Sequence, residues 1–352
     1  MNHTNGNALK KILILAPFFG KEGAWIDDFC DRSDLEFWKA PYARRPASWH
    51  QRGPVTPLAE WLEHLDYVRL AMRWQPDCIV TSFPQLALVA ALLLPLAGKP
   101  STGLIAWNFN LGSLTNRWKG RLAGRLLRRV DRFIVHASSE ISSYANWLGI
   151  EENKFRFVPL QRGMIAELAP SPIEGRYIVS MGSANRDYPT LVEAVLGTGI
   201  KTVIISKQYL IDRLPNHPGL VKLSGLTQEE CDSILAGAEI NVVPIRSTRT
   251  AAGQVTFITS MRMGVPTVAT RCVGTVDYIQ DGLTGLLVLP EDAESLRRAI
   301  ASLWHDHDLK FRIGTAGRVY GEQFLSDEAA GRSLSQIIDE VHASKPPAHA
   351  RT

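Results

Sequence analysis

The chain has 352 residues, which is too long for one hydrophobic core and fits two α/β domains of ordinary size. Its hydrophobic content of 45% and charged content of 21% are those of a folded protein and exclude wholesale disorder. The formal net charge is only +4, and the basic residues form one helix-like stripe rather than a broad patch with stacking aromatics. We therefore expect no nucleic-acid partner.

The sequence also predicts a cytoplasmic protein that does not cross a membrane. Its four cysteines follow no CxxC spacing, which is typical of reduced thiols and of neither a disulfide framework nor a zinc site. The opening residues, MNHTNGNALKK, lack the apolar core of a signal peptide. The longest apolar run, LALVAALLLPLAG from Leu86, is interrupted by Pro95 and is shorter than the ~20 residues that a spanning helix needs. It predicts a buried helix.

Short apolar runs alternate with helical patterns along the whole chain, and each run predicts a parallel strand covered on both faces. In the first half these strands are KILILA (11–16), CIVTS (78–82), GLIAW (103–107) and RFIVH (132–136). In the second half they are RYIVSM (176–181), TVIIS (202–206), INVVP (240–244), PTVAT (266–270) and GLLVL (285–289). The alternation predicts an α/β fold of two Rossmann-like, doubly wound parallel-sheet domains, with sites at the carboxyl ends of the strands.

One helix of the first half has a clear beginning and a clear apolar stripe. Thr56 and Pro57 form a cap and a first turn, and the apolar residues that follow at helical spacing are Leu58, Trp61, Leu62, Leu65, Val68 and Met72. The two domains are predicted at 9–165 and 176–318. Between them, AELAPSPIEG (166–175) carries two prolines, a glycine and no periodicity, which predicts a linker.

The loop after the first strand argues against two other nucleotide-binding classes. It reads PFFGKEG and lacks the GxGxxG spacing of a dinucleotide oxidoreductase, and no GxxxxGK[ST] motif of a P-loop enzyme is present. Gly20 in this loop is either part of a simple turn or an acceptor- or phosphate-facing residue.

The stretch TAAGQVTFITSMRMGVPTVAT (250–270) predicts a loop, a helix and a strand, with Gly264-Val-Pro266 as the break before the strand. A helix opening after a glycine leaves the amides of Gly253, Gln254 and Val255 without helical partners, at the positive end of the helix dipole. A diphosphate fits such a site.

Two basic residues follow neighbouring strands of the second half. The stretch MGSANRDYPTLVEAV (181–195) places Gly182 at a strand end and Arg186 just before a helix. Arg186 is suited to contact a phosphate through two parallel hydrogen bonds, and Lys207, after the next strand, is suited to reach the same anion as a point charge. The alternative for Arg186 is a solvated loop residue.

Taken as a run, these motifs resemble the retaining, group-1 (family 4) glycosyltransferases of the two-domain GT-B fold. The resemblance extends from about 116 to 338 and is densest in SMRMGVPTVATRCVGTVDYIQDGLTGLLVLPEDAESLRRAI (260–300). It implies two domains facing a central cleft, with a nucleotide sugar held on the second domain and the acceptor on the first. It also implies a C-terminal helical segment, 319–343, that crosses back to the first domain.

The chain departs from that family at its signature of two glutamates eight positions apart. Ala251 and Thr259 stand at those positions, and no Glu lies between Glu239 and Glu291. Thr259 can still bond a ribose hydroxyl, more weakly than a carboxylate would, and Gln254 or Asn185 are candidate substitutes. The departure leaves the donor sugar open and admits a non-catalytic partner protein. A nucleotide-sugar epimerase, which shares the fold and the nucleotide site, is a further alternative.

The resemblance implies transfer without a covalent protein nucleophile, so Arg186, Lys207 and the helix terminus would stabilise the departing diphosphate. No cofactor and no metal site are expected, because those cations neutralise the leaving group and no clustered aspartates or DxD motif in a loop suggest a metal site. On the acceptor side the candidates are Asn108 and Asn110 of WNFN (107–110), where Trp107 itself is expected in the core, and His136, as a base or as a structural histidine.

A basic and apolar helix is predicted from NRWKGRLAGRLLRRVDRF, which begins at Asn116. Its apolar residues Trp118, Leu122, Leu126 and Val130 lie four apart, beside a stripe that includes Arg121, Arg125 and Arg128. Such a helix either packs its apolar stripe on the first domain or lies on an anionic membrane surface. Because the resemblance suggests a lipid-linked or glycan acceptor in surface polysaccharide or lipopolysaccharide biosynthesis, we expect a peripheral enzyme on the inner face of the membrane.

Overall fold

The computed structural model describes residues 9–17, 25–41, 57–98, 101–112, 114, 116–163, 165, 167–246 and 251–345. The chain divides into two compact units. The first unit takes in Met1–Val158 and Gly331–Thr352, and the second is Pro159–Ala330. Each unit contains a six-stranded parallel sheet with helices on both faces, which confirms the predicted α/β class.

The sheet of the first unit has the strand order β2-β1-β3-β4-β5-β6. Its strands are β1 (Lys10–Leu15), β2 (Leu35–Lys39), β3 (Cys78–Ser82), β4 (Gly103–Trp107), β5 (Arg132–Val135) and β6 (Phe155–Phe157). Every residue of β3 and β4 is buried, which is why these central strands appear as unbroken apolar runs in the sequence. Their register pairs Ser82 with Trp107, so both strands end at the same edge of the sheet.

Four helices of the first unit pack side by side. They are α1 (Leu58–Ala71), α2 (Pro84–Leu96), α3 (Arg117–Leu127) and α4 (Ser139–Leu148). Helix α2 lies where a buried helix was predicted, and most of it is buried, but Leu92 and Leu96 are 42% and 78% exposed. Within the described ranges no helix is long and apolar enough to span a membrane. The predicted packed face of α1 is partly wrong: Leu58 and Leu62 are 76% and 56% exposed. Tyr67 is buried instead, and its hydroxyl donates to the carbonyl of Ala40 at 2.7 Å.

Helix α3 packs on α4 through glycines. Gly120 and Gly124 are buried, and a Cβ placed on Gly120 would lie 2.5 Å from the Trp147 carbonyl oxygen. A Cβ on Gly124 would penetrate the carbonyl group of Leu148. The two helix backbones therefore approach more closely than any side chain at these positions would allow.

The sheet of the second unit has the order β12-β11-β10-β7-β8-β9. Its strands are β7 (Ile178–Met181), β8 (Thr202–Ile205), β9 (Leu220–Leu223), β10 (Ile240–Val243), β11 (Thr267–Thr270) and β12 (Leu286–Val288). The remaining helices are α5 (Tyr188–Val195), α6 (Gln208–Ile211), α7 (Gln228–Ala236), α8 (Gln254–Met263), α9 (Ala293–His305), α10 (His307–Phe324) and α11 (Asp327–Ala343). The chain runs outward in opposite directions from β7 and β10, and this switch point is where such sheets bind ligands.

The division between the units lies at Val158 and Pro159, upstream of the segment 166–175 that was predicted as the linker. The described part of that segment packs on the second unit: the Ser171 and Tyr177 hydroxyls lie 2.7 Å apart, and Lys201 donates to the Glu174 carbonyl at 2.7 Å. The predicted boundary at 318 falls inside α10. Residues from Gly331 onward are grouped with the first unit.

Two kinds of contact attach the end of the chain to the first unit. The Cys30 thiol donates to the Gly331 carbonyl at 3.2 Å, and Arg32 forms a salt bridge with Asp339 at 2.8 Å. Glu340 pairs with both Arg132 and Arg156. Helix α11 thus supplies acidic partners to arginines of the first unit over its carboxyl-terminal half.

The glycine contact between α3 and α4 predicts the effect of one methyl group. In an exposed helix Gly→Ala usually stabilises, but Gly124→Ala should lower the free energy of unfolding by about 1–3 kcal/mol, because the new Cβ meets the Leu148 carbonyl. Lys119→Ala, at an exposed position of the same helix, should change it by less than about 0.5 kcal/mol. Denaturant unfolding measures both, and a Gly124→Ala variant as stable as the wild type would contradict the close packing.

Candidate functional site

The loop after β7 is tied to the loop after β8 by a left-handed glycine. Gly182 has φ +114°, donates its amide to the Ile205 carbonyl at 3.0 Å, and accepts from the Ser206 hydroxyl at 2.8 Å. The Tyr188 hydroxyl also donates to the Gly182 carbonyl. A residue with a Cβ would be strained there, so glycine is required for the loop to take this path.

Arg186 lies half-buried beside this glycine, and each of its guanidinium nitrogens donates a hydrogen bond. The acceptors are the carbonyls of Met181 (3.0 Å) and Ala184 (2.8 Å) and the hydroxyl of Thr256 (3.1 Å). No carboxylate in the described part of the chain pairs with it, and burial lowers the pKa of Arg186 from its ordinary value. A buried cation without an opposite charge is costly, so an anion bound here would offset that cost.

The amino end of α8 lies against the same guanidinium. Gly253 caps the helix with φ +83°, and a Cβ on it would lie 2.8 Å from Val243 and 3.7 Å from Nη1 of Arg186. The amides of Thr256 and Phe257 already donate to the Gly253 carbonyl. The amides before Thr256 lie ahead of the first hydrogen bonds within the helix. The amino end of α8 therefore offers N–H donors and the positive end of the helix dipole next to a cation.

Lys207 lies on the other side of a cavity of about 290 Å³. Its backbone amide donates to the Ser183 hydroxyl oxygen at 3.2 Å, and its side chain is exposed. None of the residues described in the structure pairs with its ammonium group. The cavity is lined by Met181, Gly182, Ser183, Ile205, Ser206, Lys207, Gly225, Leu226, Gln228, Cys231, Asp232, Val255, Thr256 and Thr259.

The structure divides the predicted donor residues into two groups. Gly182, Lys207, Val255 and Thr259 line the cavity, and Arg186, Asn185, Gly253 and Gln254 do not. Arg186 and Gly253 adjoin it through their contacts with Thr256 and Gly182. The carboxyl ends of β7 and β8 and the beginning of α8 therefore bring two cations and a helix terminus to one place.

The remaining donor candidates have contacts within the protein. Asn185 has φ +55°, and its carbonyl accepts from the Arg246 amide at 3.1 Å, which holds the loop against the chain after β10. Gln254 donates to the Tyr278 hydroxyl at 3.3 Å. Thr259 is 2% exposed and its hydroxyl donates to the Val255 carbonyl at 2.7 Å, so toward a ligand it can act only as an acceptor.

The sequence analysis missed the wall that α7 provides. Gln228, Cys231 and Asp232 line the cavity, and Asp232 is held by Arg162 at 2.9 Å and by Gln228 at 2.8 Å. A capping box marks the start of this helix, because the Thr227 hydroxyl accepts from the Glu230 amide while the Glu230 carboxylate accepts from the Thr227 amide. That T-x-x-E spacing predicts where the helix begins but not which cavity it lines.

In the first unit, Asn108 and His136 lie together at the carboxyl ends of the strands. Asn108 follows β4 with φ +52°, and its side-chain amide lies 3.0 Å from the Ser82 hydroxyl and 2.6 Å from Nε2 of His136. Nδ1 of His136 lies 2.8 Å from the Val158 carbonyl. Both ring nitrogens are thus engaged by protein groups.

The protonation of His136 fixes the direction of these hydrogen bonds. Burial lowers the pKa of His136 to about 4, against a smaller opposing effect of the Val158 carbonyl, so the ring is neutral near neutral pH. Val158 can only accept, so Nδ1 carries the proton and Nε2 accepts. Asn108 must then donate its amide to Nε2 and accept from Ser82, which reverses the oxygen and nitrogen assignment of that side chain. This geometry gives His136 a positioning role for Asn108.

The other acceptor-side candidates contribute less. Asn110 is exposed, and its side-chain oxygen accepts from the Gly112 amide at 2.7 Å, which closes a local turn. Gly20 lies outside the described residues. Trp107 is fully buried, as expected, with its ring 6.2 Å edge-on from Trp25. Within the described ranges, no three His, Cys, Asp or Glu side chains cluster as metal ligands.

The membrane-surface candidates lie on the outer side of α3. Trp118, Leu122 and Leu126 are 65%, 54% and 41% exposed, so the alternative that this stripe packs on the first unit is wrong for these three residues. Val130, beyond the helix, is buried. Arg125 and Arg128 are exposed, and the Arg121 guanidinium lies against Gly149 at the end of α4.

The neutral, buried His136 predicts how stability changes with pH. An unfolded histidine titrates near ~6.5 and the folded one near 4, so between these values only the unfolded chain binds the proton. The free energy of unfolding should therefore fall as pH drops through this window, by about 2 kcal/mol between about pH 7 and pH 5 from this group alone. His136→Gln should remove that slope, and exposed His307→Gln should retain it. Equal slopes in denaturant titrations of all three proteins would contradict the buried neutral ring.

Two comparisons with known sequences bear on this geometry. Residues 186–306 match the family model of the glycosyl transferases group 1, which covers about a third of the chain and begins at Arg186. Over 200 residues the chain is 28% identical to the lipopolysaccharide core biosynthesis glycosyltransferase LpsE of Rhizobium meliloti, covering 54% of this chain and 55% of that protein. Over 294 residues it is 25% identical to the MMP alpha-(1->4)-mannosyltransferase of Mycolicibacterium hassiacum, covering 76% and 70%. The chain thus spans about half the length of LpsE.

Solved structures agree over almost the whole chain. The Anabaena protein Alr3699/HepE in complex with UDP-glucose superposes with a TM-score of 0.66 at 14% identity, covering 94% of this chain and 99% of that one. The lipopolysaccharide outer core galactosyltransferase WaaB superposes with a TM-score of 0.63 at 13% identity, covering 94% and 99%. The chain therefore has the two-domain, Rossmann-like GT-B fold of these proteins, and its second unit carries the segment that matches group 1 glycosyl transferases.

Proposed function

We propose that this protein is a glycosyltransferase that moves a sugar from a nucleotide-diphosphate sugar to a glycan or lipid-linked acceptor. The observation that carries the proposal is the half-buried Arg186 guanidinium, which no described carboxylate neutralises, next to the amino end of α8. A diphosphate supplies the missing negative charge and accepts from the helix amides. The match to group 1 glycosyl transferases over 186–306 supports the same conclusion.

The proposed chemistry depends on the leaving group. The bond between the anomeric carbon and the diphosphate oxygen breaks, a bond from that carbon to an acceptor hydroxyl oxygen forms, and the hydroxyl proton passes to the departing diphosphate. Arg186, the α8 terminus and Lys207 stabilise the charge that develops on the diphosphate, so they act more strongly in the transition state than in the ground state. We propose retention at the anomeric carbon, in line with the resemblance, and a hexosyl donor, with no metal and no cofactor.

The nucleoside end of the donor would lie in the cavity. Thr259 replaces a carboxylate of the family signature, and because its hydroxyl donates to Val255, it offers a ribose hydroxyl only an acceptor lone pair. Gln228 and Ser183 provide further polar groups on the cavity wall. We infer weaker donor binding than a glutamate would give, since hydrogen bonds to charged groups are the stronger ones.

On the acceptor side we propose that Asn108 contacts the acceptor and that His136 orients Asn108, and Asn110 and Gly20 stay further candidates from the sequence. LpsE of Rhizobium meliloti is named for lipopolysaccharide core biosynthesis, which supports a role in surface glycan or lipopolysaccharide assembly. We propose that the enzyme lies on the cytoplasmic face of a membrane with an anionic surface. The exposed Trp118, together with Arg121, Arg125 and Arg128, supports that association.

A donor screen tests the assignment. Unfolding temperatures should rise with one of the uridine, guanosine or adenosine diphosphate sugars, because a ligand that binds only the folded state stabilises it. When an extract that contains the acceptor is added, the enzyme should consume the same donor, and a metal chelator should leave the rate of consumption unchanged. Formation of an epimeric sugar from donor alone would indicate an epimerase. A shift with no turnover, or no shift at all, would favour the non-catalytic partner protein that Ala251 and Thr259 admit.

Substitution of Arg186 tests the proposed leaving-group contact. Arg186→Ala should lower kcat/KM by about 30- to 150-fold, which corresponds to about 2–3 kcal/mol for a charge-assisted contact. Arg186→Lys should recover part of the loss, because it restores the charge without the planar pair of donors. Arg298→Ala, which removes an exposed arginine paired with Glu294 on α9, is the matched control and should keep wild-type kinetics. Wild-type turnover in Arg186→Ala would remove this residue from the mechanism.

A further inference from the structure

A second cavity lies in the first unit, in a groove between α2 and the end of α3. Its volume is about 420 Å³. It is lined by Ala91, Leu92, Pro95, Arg125, Leu126, Arg128 and Arg129. One wall is therefore aliphatic and the other is a cluster of three arginines, and it belongs to a different unit from the candidate donor site.

The arginines of this groove have no acidic neighbour within α3. The sequence of α3, RWKGRLAGRLL, contains no acidic residue. Arg125 and Arg128 are exposed, and neither pairs with a carboxylate anywhere in the described part of the chain. Arg129 is half-buried beside them. Arginine clusters of this kind bind phosphate groups through parallel hydrogen bonds.

The surface around the groove is apolar. Leu92 and Leu96 of α2 are 42% and 78% exposed, and Leu122 of α3 is 54% exposed. Trp118 is 65% exposed one turn before Leu122, and tryptophan favours the interface between lipid and water. Free phosphate would occupy only the arginine side of the groove and would leave these leucines in water. A lipid satisfies both sides.

We propose that the α2–α3 groove binds the phosphate of an anionic bilayer lipid, with the arginines on the headgroup and the exposed leucines against the first carbons of the acyl chains. This inference rests on the membrane association proposed above and adds to it a defined lipid site. It differs from diffuse electrostatic attraction, in which any two charges of α3 contribute equally.

Vesicle flotation with matched charge pairs tests the groove. The probes are phosphatidylcholine vesicles with and without phosphatidylglycerol, at low and raised salt. Arg125→Gln/Arg128→Gln removes two groove charges, and Arg117→Gln/Lys119→Gln removes two charges of the same helix outside it. The wild type should float only with phosphatidylglycerol, and the groove pair should lose roughly tenfold more affinity than the control pair, since direct contacts with a phosphate exceed diffuse attraction.

A third variant and a competitor separate the remaining outcomes. Leu96→Asn should weaken flotation at both salt concentrations, because it removes apolar contact rather than charge. Equal losses in the two charge pairs would overturn the groove while leaving the membrane association intact. Displacement of the wild type by millimolar inorganic phosphate would overturn it in favour of a free-phosphate site. A wild type that does not float would overturn both proposals, and the donor screen would still test the glycosyltransferase assignment independently.

Discussion

The organisation of the second unit depends on a half-buried guanidinium that has no carboxylate partner among the described residues. Each nitrogen of Arg186 donates to one neutral acceptor, and none of these acceptors carries the full negative charge that would offset the loss of hydration. The lowered pKa of Arg186 expresses the same imbalance. Such an arrangement is stable only where the surrounding backbone fixes it, and it is then already oriented for an anion before the anion binds.

Two glycines provide that fixed backbone, and the guanidinium leaves no room for a side chain at the first of them, Gly182. A Cβ on Gly182 would lie 2.5 Å from Nη2 of Arg186, and one on Gly253 would lie 3.7 Å from Nη1. Both residues also have positive φ, which side chains rarely adopt. At Gly182 the guanidinium itself excludes a Cβ, whereas at Gly253 the positive φ and the Val243 side chain, 2.8 Å from a Cβ, require glycine. This is why the two glycine-containing motifs, seventy residues apart in the chain, belong to one site.

The apolar runs predicted the strands that are buried on both faces, because such strands are continuously apolar in sequence. They did not predict strands that lack this double burial. The strands that were missed, β2 and β9, each lie at a sheet edge, and most of their residues are only half-buried. The same limit applies to the candidate site. Residues at strand ends and helix starts follow from backbone geometry, whereas the wall formed by Cys231 and Asp232 depends on which helix packs beside the cavity, and no local pattern contains that information.

Helix α3 illustrates why a helical pattern alone cannot choose the buried face. The large apolar residues at i and i+4, Trp118, Leu122 and Leu126, predict one face, but the helix packs by Gly120 and Gly124 on another. Glycines bury little side-chain area. The contact between α3 and α4 is therefore stabilised by close packing of the two backbones and not by burial of the hydrophobic stripe. The stripe is then left in water, at an unfavourable ~25 cal/mol per Å² of apolar surface. Leu58 and Leu62 of α1 and Leu96 of α2 are exposed on neighbouring helices. Several exposed apolar residues on adjacent helices are costly for a protein in water alone, and the proposed membrane with an anionic surface would cover them while Arg125 and Arg128 contact its headgroups.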